Sequence, residues 1–183
     1  DMVSMARPFL ADANLVAKAI AGKPSEINTC IACNQACLDH TFTLQVSTCI
    51  VNPRACHETE LIIAPATAPK KLAVIGAGPA GMAAAAVAAE NGHQVDLYEA
   101  SDKLGGQFNM ATIIPGKEEY QQTIRYYGVM LEKFGVTVHL KTKATAEMLT
   151  GKGYDEVVIA TGVTPRKLDF PGIDHPKVLD YAE

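Results

Sequence analysis

Five cysteines fall between positions 30 and 56, spaced Cys30-x2-Cys33-x3-Cys37-x11-Cys49, with Cys56 seven residues further on. Thiols grouped in this way can form disulfides, hold a metal centre or stay inert. Disulfides fit poorly, because no secretory signal is present and one of five cysteines would be left over. A structural zinc site usually shows two CxxC pairs or a CxxC with a His pair. Here the second half lacks a CxxC, although His40 and His57 could join. An iron–sulfur cluster needs four thiolates, often three close together and one remote. Cys30, Cys33, Cys37 and Cys49 meet that need, with a spacing unlike the compact run of small ferredoxins, and Cys56 is left as a small buried thiol. Spacing alone leaves cluster, zinc and inert thiols open.

A second constellation is Gly76-Ala77-Gly78-Pro79-Ala80-Gly81, a GxGxxG between a short apolar strand and an Ala-rich helix. Gly76 permits a tight turn, Gly78 lets backbone N–H groups approach a pyrophosphate, and Gly81 lets helix and strand pack closely. The helix N-terminus adds partial positive charge toward phosphates. Glu99 follows Gly81 by 18 residues, at the end of the next strand, where an acid accepts hydrogen bonds from a ribose hydroxyl. Strand, turn, helix and acid in this order predict a dinucleotide site.

The elements that position these groups follow from the pattern. Met2–Met5 reads as a short extended run, Ala6-Arg7-Pro8 as a turn, and Asp12 as the cap of a helix over 13–21 that Gly22 and Pro24 stop. Residues 30–60 show no sustained period, so an external staple is expected there, and 61–69 form an extended Pro/Ala linker. From Lys70 onward strand and helix alternate: strands at 72–76, 94–98, 136–140 and 156–160, helices through Glu90 and over 118–133. That rhythm predicts an α/β fold, Rossmann-like, with a parallel sheet.

Composition limits the function. The 183 residues are 48% hydrophobic and 20% charged with net charge −4, which argues against a nucleic-acid binder. The charge-free run Leu72–Ala89 is 18 residues long, but three glycines and a proline in its first half suit a strand-turn-helix rather than a membrane span. No targeting signal is present, so no membrane partner and a cytoplasmic location are expected. His57-Glu58 and Asp174-His175 read as surface neighbours, Tyr126-Tyr127 as packing and Lys117 as a solvated loop lysine. No residue is assigned a catalytic role.

Two further stretches carry a resemblance. Glu99 is followed by Ala100 and then Gly105-Gly106-Gln107, and Val158-Ile159 runs into Ala160-Thr161-Gly162. Both resemble the flavin domain of glutathione-reductase-like disulfide and amine oxidoreductases, which implies FAD rather than a nicotinamide at this site. Without that resemblance they are a loop and a strand-end turn.

Taken together, residues 30–39, 48–58, 76–81, 105–109, 114–119 and 172–179 resemble the bacterial NADPH-dependent 2,4-dienoyl-CoA reductases. These are old-yellow-enzyme flavoproteins with a C-terminal cluster and flavin module, a group that includes trimethylamine dehydrogenase. The resemblance implies residues 1–29 as the end of an FMN-binding TIM barrel, 30–60 as a 4Fe-4S segment, 61–69 as linker and 70–183 as an incomplete FAD domain. It implies that Cys30, Cys33, Cys37 and Cys49 hold the cluster. Gly76, Gly78, Pro79, Ala80, Gly81, Glu99, Ala100, Gly106, Gln107, Ala160, Thr161 and Gly162 would hold FAD. Thr145 would offer backbone to the adenine, and Ala6 and Arg7 would meet an FMN phosphate. NADPH and a dienoyl-CoA substrate belong to the full-length enzyme. The chain starts without a methionine and stops before a second GxGxxG, so it reads as an internal segment that does not reduce dienoyl-CoA alone. A different acceptor (an amine or an enone) and a zinc-stapled nucleotide-binding module are the alternatives. Oligomeric state is not legible.

Overall fold

The computed structural model describes residues 2–166 and 168–180. Its N-terminal part holds α1 (Arg7–Ala11) and α2 (Leu15–Ile20), then a 3-10 turn at Pro24–Glu26. A single π-turn at Gln35–Asp39 leads into α3 (His40–Phe42). The second part runs β1 (Lys71–Ile75), α4 (Pro79–Glu90), β2 (Gln94–Tyr98) and α5 (Phe108–Ala111). It continues through α6 (Gln121–Lys133), β3 (Thr137–His139), α7 (Ala146–Thr150) and β4 (Glu156–Ile159).

The four strands form one parallel sheet in the order β3-β2-β1-β4. The fold is therefore the expected α/β, Rossmann-like one. The order reverses between β1 and β4, and the crevice beyond their C-terminal ends is where such sheets bind ligands. One sheet face packs on α4 and α6 through Leu72, Val74, Val95, Leu97, Met82, Ala85, Met130 and Leu131. The small residues of α4 let that helix lie close to the sheet. The other face carries a polar network: Tyr154 donates to Asp96 at 2.8 Å, His139 lies 2.9 Å from the same carboxylate, and Tyr98 stacks on His139 at 4.5 Å. Burial pushes the Asp96 carboxyl up, but bonds from His139 and Tyr154 outweigh it and hold it below the ordinary range.

Several local expectations are corrected. Residues 2–5 form no strand, and 6–8 are not a turn: α1 starts at Arg7 with Pro8 in its first turn, a place where proline's missing N–H costs nothing. Asp12 does not cap a helix over 13–21. Buried, it accepts from Lys18 Nζ at 2.6 Å, the Asn28 N–H at 2.8 Å and the Asn14 N–H at 3.0 Å, so it ties the two ends of the N-terminal segment together. Cys56 is exposed, with φ +64°, rather than buried. Among the described residues no helix is long and apolar enough to cross a membrane, and the apolar run 72–89 divides into β1, a turn and α4.

The cysteine-bearing segment is bound to both neighbours. Asn52 Nδ2 donates to Leu10 O at 2.8 Å, and Asn28 Nδ2 to Val51 O at 2.7 Å. From α6, Arg125 reaches Ile27 O at 2.8 Å, Thr29 Oγ1 at 3.2 Å and Ser25 O. Lys133 meets Glu26 at 2.6 Å. The run leading into Cys30 is thus held by the same helix that packs on the sheet.

Candidate functional site

The glycine-rich turn sits at the C-terminal end of β1. Gly76 has φ +102°, and a Cβ there would come within 2.4 Å of Ala160 O, so only glycine lets β1 pass this close to the chain leaving β4. A Cβ on Gly81 would lie 1.8 Å from Gly76 O, which fixes that position as the helix–strand contact. At Gly78 a Cβ would meet nothing within 4 Å. The open space lies beside the start of α4, whose first-turn N–H groups have no intrahelical acceptor and no side-chain cap. An anionic pyrophosphate fits such a cradle.

Glu99 closes the cradle from β2. Its Oε2 accepts from the Ala77 N–H and its Oε1 from the Ser101 N–H, both at 2.8 Å. Burial pushes its carboxyl up, but the Ser101 and Ala77 donors prevail and leave it below the usual carboxylate range. An ionised carboxylate offers about four lone-pair sites, which is the acceptor chemistry that ribose hydroxyls need. Thr142 N–H donates to Glu99 O at 2.8 Å and Lys141 N–H to Ser101 O at 2.7 Å, which brings the chain after β3 alongside. Thr145 further on caps α7, its Oγ1 accepting from the Met148 N–H at 3.3 Å.

The Gly105-Gly106-Gln107 loop folds back over the glycine turn. Gly105 N–H donates to Ala77 O at 2.8 Å, and a Cβ on Gly106 would touch Gly78 Cα at 3.2 Å. Gln107 Nε2 donates to Val163 O, so the loop spans the crevice to the segment after Ala160, Thr161 and Gly162. Ala160 N–H itself donates to Ile75 O at 2.8 Å. Pro79, Ala80, Ala100, Gly106, Thr161 and Gly162 are exposed around this crevice. The structure thus brings residues from five separate stretches to one sheet edge.

A second site lies in the N-terminal part. Cys30, Cys33, Cys37 and Cys49 all line one small pocket, with Arg7, Ile31, Asn34 and Val51 among its other walls. Ala32 and Asn34 hold φ of +53° and +61°, and Cys37 sits in the π-turn. The left-handed region costs a residue such as Ala32 about 1–2 kcal/mol, whereas Asn34 adopts it readily. Burial raises the Cys49 thiol, opposed by N–H groups of Val51 and Asn52. Among the described residues no three His, Cys, Asp or Glu side chains converge as ligands of one metal ion. The four thiols share one pocket, and zinc and a thiolate-held cluster both draw on such a donor set. Cys56 is not a wall of this pocket, and His40 turns to Val46 O and His57 to Glu60.

Arg7 lines this pocket and donates to Asn34 Oδ1 at 2.6 Å, while Ala6 is exposed beside it. Three participants escaped the sequence reading. Val163 and Arg125 act through contacts across 56 and about a hundred residues, for which no local pattern exists. Phe108, next to Gln107, belongs to a four-residue helix too short to show a period. His57 pairs with Glu60 rather than Glu58, and His175 accepts from the Lys177 N–H at 3.1 Å. Tyr126 packs, with burial pushing its hydroxyl up to about 12, and Lys117 lies 5.4 Å over the Tyr120 ring.

Comparison with known proteins agrees with this geometry. The family model for pyridine nucleotide-disulphide oxidoreductases matches residues 70–183. A metal reductase of Desulforamulus reducens is 41% identical over 184 aligned residues, covering 98% of this chain and 27% of that protein. The solved 2-naphthoyl-CoA reductase, in complex with 2-naphthoyl-CoA, superimposes with TM-score 0.91 at 40% identity, over 94% of this chain and 26% of that one. Histamine dehydrogenase from Rhizobium sp. 4-9 gives 0.83 at 30% identity, over 91% and 25%. The chain spans about a quarter of the length of these relatives. A parallel sheet with its glycine turn, acid and returning strand, in a chain alike over nearly its whole length to reductases and a dehydrogenase, has one family reading: this chain belongs to the pyridine nucleotide-disulphide oxidoreductases, as a flavoprotein-type oxidoreductase segment.

Proposed function

We propose that this chain is the electron-relay segment of a larger cytoplasmic reductase that uses NADPH to saturate a conjugated double bond in an acyl-CoA thioester, with 2,4-dienoyl-CoA as substrate. Gly76, Gly78, Gly81, Glu99 and the Gly105–Gln107 loop would hold FAD. Cys30, Cys33, Cys37 and Cys49 would hold a 4Fe-4S cluster, and Ala6 and Arg7 would meet the phosphate of an FMN in a preceding barrel. When bound, the flavins would supply two-electron chemistry toward NADPH and the acyl chain, and the cluster would supply one-electron transfer between them. This chain's own residues bind and orient: the α4 N-terminus faces phosphate, Glu99 faces ribose, and Arg125 fixes the distance between the two sites.

The observation that carries the reading is the pocket walled by four of the five cysteines, with the run 25–29 just ahead of Cys30 bonded to Arg125 of α6, the helix that packs on the sheet. The similarity to a 2-naphthoyl-CoA reductase supports a conjugated CoA thioester as acceptor. The similarity to histamine dehydrogenase favours the second reading, the same relay serving an amine. Iron, sulfide and zinc analysis with a visible spectrum tests the relay: stoichiometric iron and sulfide, with a brown band bleached by dithionite, is expected. A colourless protein holding zinc would overturn it. Nucleotide released from the protein is expected to be FAD by mass. In the full-length protein, turnover of dienoyl-CoA against amine substrates separates the two acceptors.

A further inference from the structure

Phe108 follows Gln107 directly, so the loop that closes the dinucleotide crevice runs straight into α5. The Phe108 ring stacks on Tyr120, with centroids 5.2 Å apart and planes 11° from parallel. Neither ring belongs to the main core between sheet, α4 and α6. Both instead pack on Ala11, Ile31 and Val51, the small core on which Cys30, Cys33 and Cys49 also rest. Ile31 and Val51 are themselves walls of the cysteine pocket. An aromatic pair anchored in the dinucleotide domain therefore backs the pocket wall from the flavin side.

We infer that Phe108 and Tyr120 are positioning residues, an apolar partition between the flavin crevice and the cysteine pocket that keeps water from the thiolates on that side and so sets the reduction potential of the cluster they hold. This rests on the reading of the pocket as a cluster site. The physical reason is charge. A thiolate-held cluster is anionic, and reduction adds one more negative charge. Water stabilises the more charged form, whereas an apolar wall withholds that stabilisation and keeps the potential low. The partition takes part in no bond making or breaking. It acts through Ile31 and Val51, whose side chains it holds against the pocket.

The test is a redox titration of the cluster-loaded protein with dithionite and mediator dyes, followed by bleaching of the visible band. Three proteins are compared: wild type, Phe108→Ala and Phe108→Met. Phe108→Ala opens the wall and is expected to move the reduced-to-oxidised ratio at fixed potential about tenfold toward reduced, ~59 mV for a one-electron couple. Phe108→Met keeps apolar bulk and is expected to stay within about twofold of wild type. Should the alanine variant load no cluster, Phe108→Gln, close to methionine in shape but polar, makes the same comparison and is expected to shift in the same direction. Full iron and sulfide with an unmoved midpoint in the alanine or glutamine variant would overturn the partition. Wild-type protein that holds no iron and sulfide would overturn the cluster reading, and the partition with it, so the two failures are told apart by metal analysis.

Discussion

Glycines 81 and 128 both lie in helices, and replacing each by alanine sends stability in opposite directions. Intrinsic propensity favours alanine over glycine by about 1 kcal/mol at either site. At Gly128 in α6 the new methyl would lie 3.8 Å from Leu104 Cδ1, an ordinary contact. Gly128→Ala is therefore expected to stabilise by about 0.5–1 kcal/mol, roughly 2–4 °C in Tm at the upper end for a chain of this size. At Gly81 in α4 the same methyl falls 1.8 Å from Gly76 O and 3.0 Å from Gly76 C, both backbone atoms of the cradle itself. Relief demands that helix and turn part by more than about 1 Å, and overpacking of this kind costs about 1–3 kcal/mol or more. Set against the propensity gain, Gly81→Ala is expected to destabilise by about 2 kcal/mol and to weaken nucleotide binding as the turn shifts. Urea unfolding followed by far-UV circular dichroism reads both, with an unchanged slope showing that the two-state comparison holds. If the two substitutions move the midpoint in the same direction, the close approach of α4 to the turn is not what positions the cradle.

Gly78→Ala adds a methyl to open space, so stability is expected within about 0.5 kcal/mol of wild type while FAD affinity by fluorescence titration falls at least tenfold, or about 1.4 kcal/mol; equal affinity would remove the pyrophosphate from this turn. Arg125→Ala leaves acceptors on Ser25, Ile27 and Thr29 without their donor and is expected to cost about 2–3 kcal/mol, with faster proteolysis before Cys30. Arg125→Lys recovers less than half, because one ammonium cannot span three acceptors. The Glu99 carboxyl is held below its unfolded value, so its contribution is present above the ordinary carboxylate range and is lost as pH falls through the folded value. Glu99→Gln is expected to flatten that acid limb in urea titrations below about pH 4.5, and an unchanged limb would remove the Ala77 and Ser101 bonds as its cause.

The parts of the fold that were legible in the sequence are those whose cause is local. The strand over 94–98, the helix ending at Glu90 and the turn between Gly76 and Gly81 each follow from a short apolar run, glycine at a crowded turn and a helix that starts on proline. Short helices such as α5 and α7 leave no period to detect, and α1 was hidden because Arg7-Pro8 suits a turn and a helix start equally. Asp12 shows the same limit at one residue. Its type fits a cap, but a buried carboxylate goes where a cation and an N–H can meet it, and these come from Lys18 and Asn28.

By itself, the order of residues in this chain determined two chemical inventories: four thiols at cluster-like spacing and a glycine turn followed at the right distance by an acid. It could not determine that the thiols share one pocket, since that depends on left-handed residues at 32 and 34 and a π-turn at 35–39. Nor could it determine how the two inventories face each other. That was decided by Arg125 reaching back about a hundred residues and by the Phe108–Tyr120 stack behind Ile31 and Val51, contacts that arise only once a sheet and two helices have fixed both ends in space.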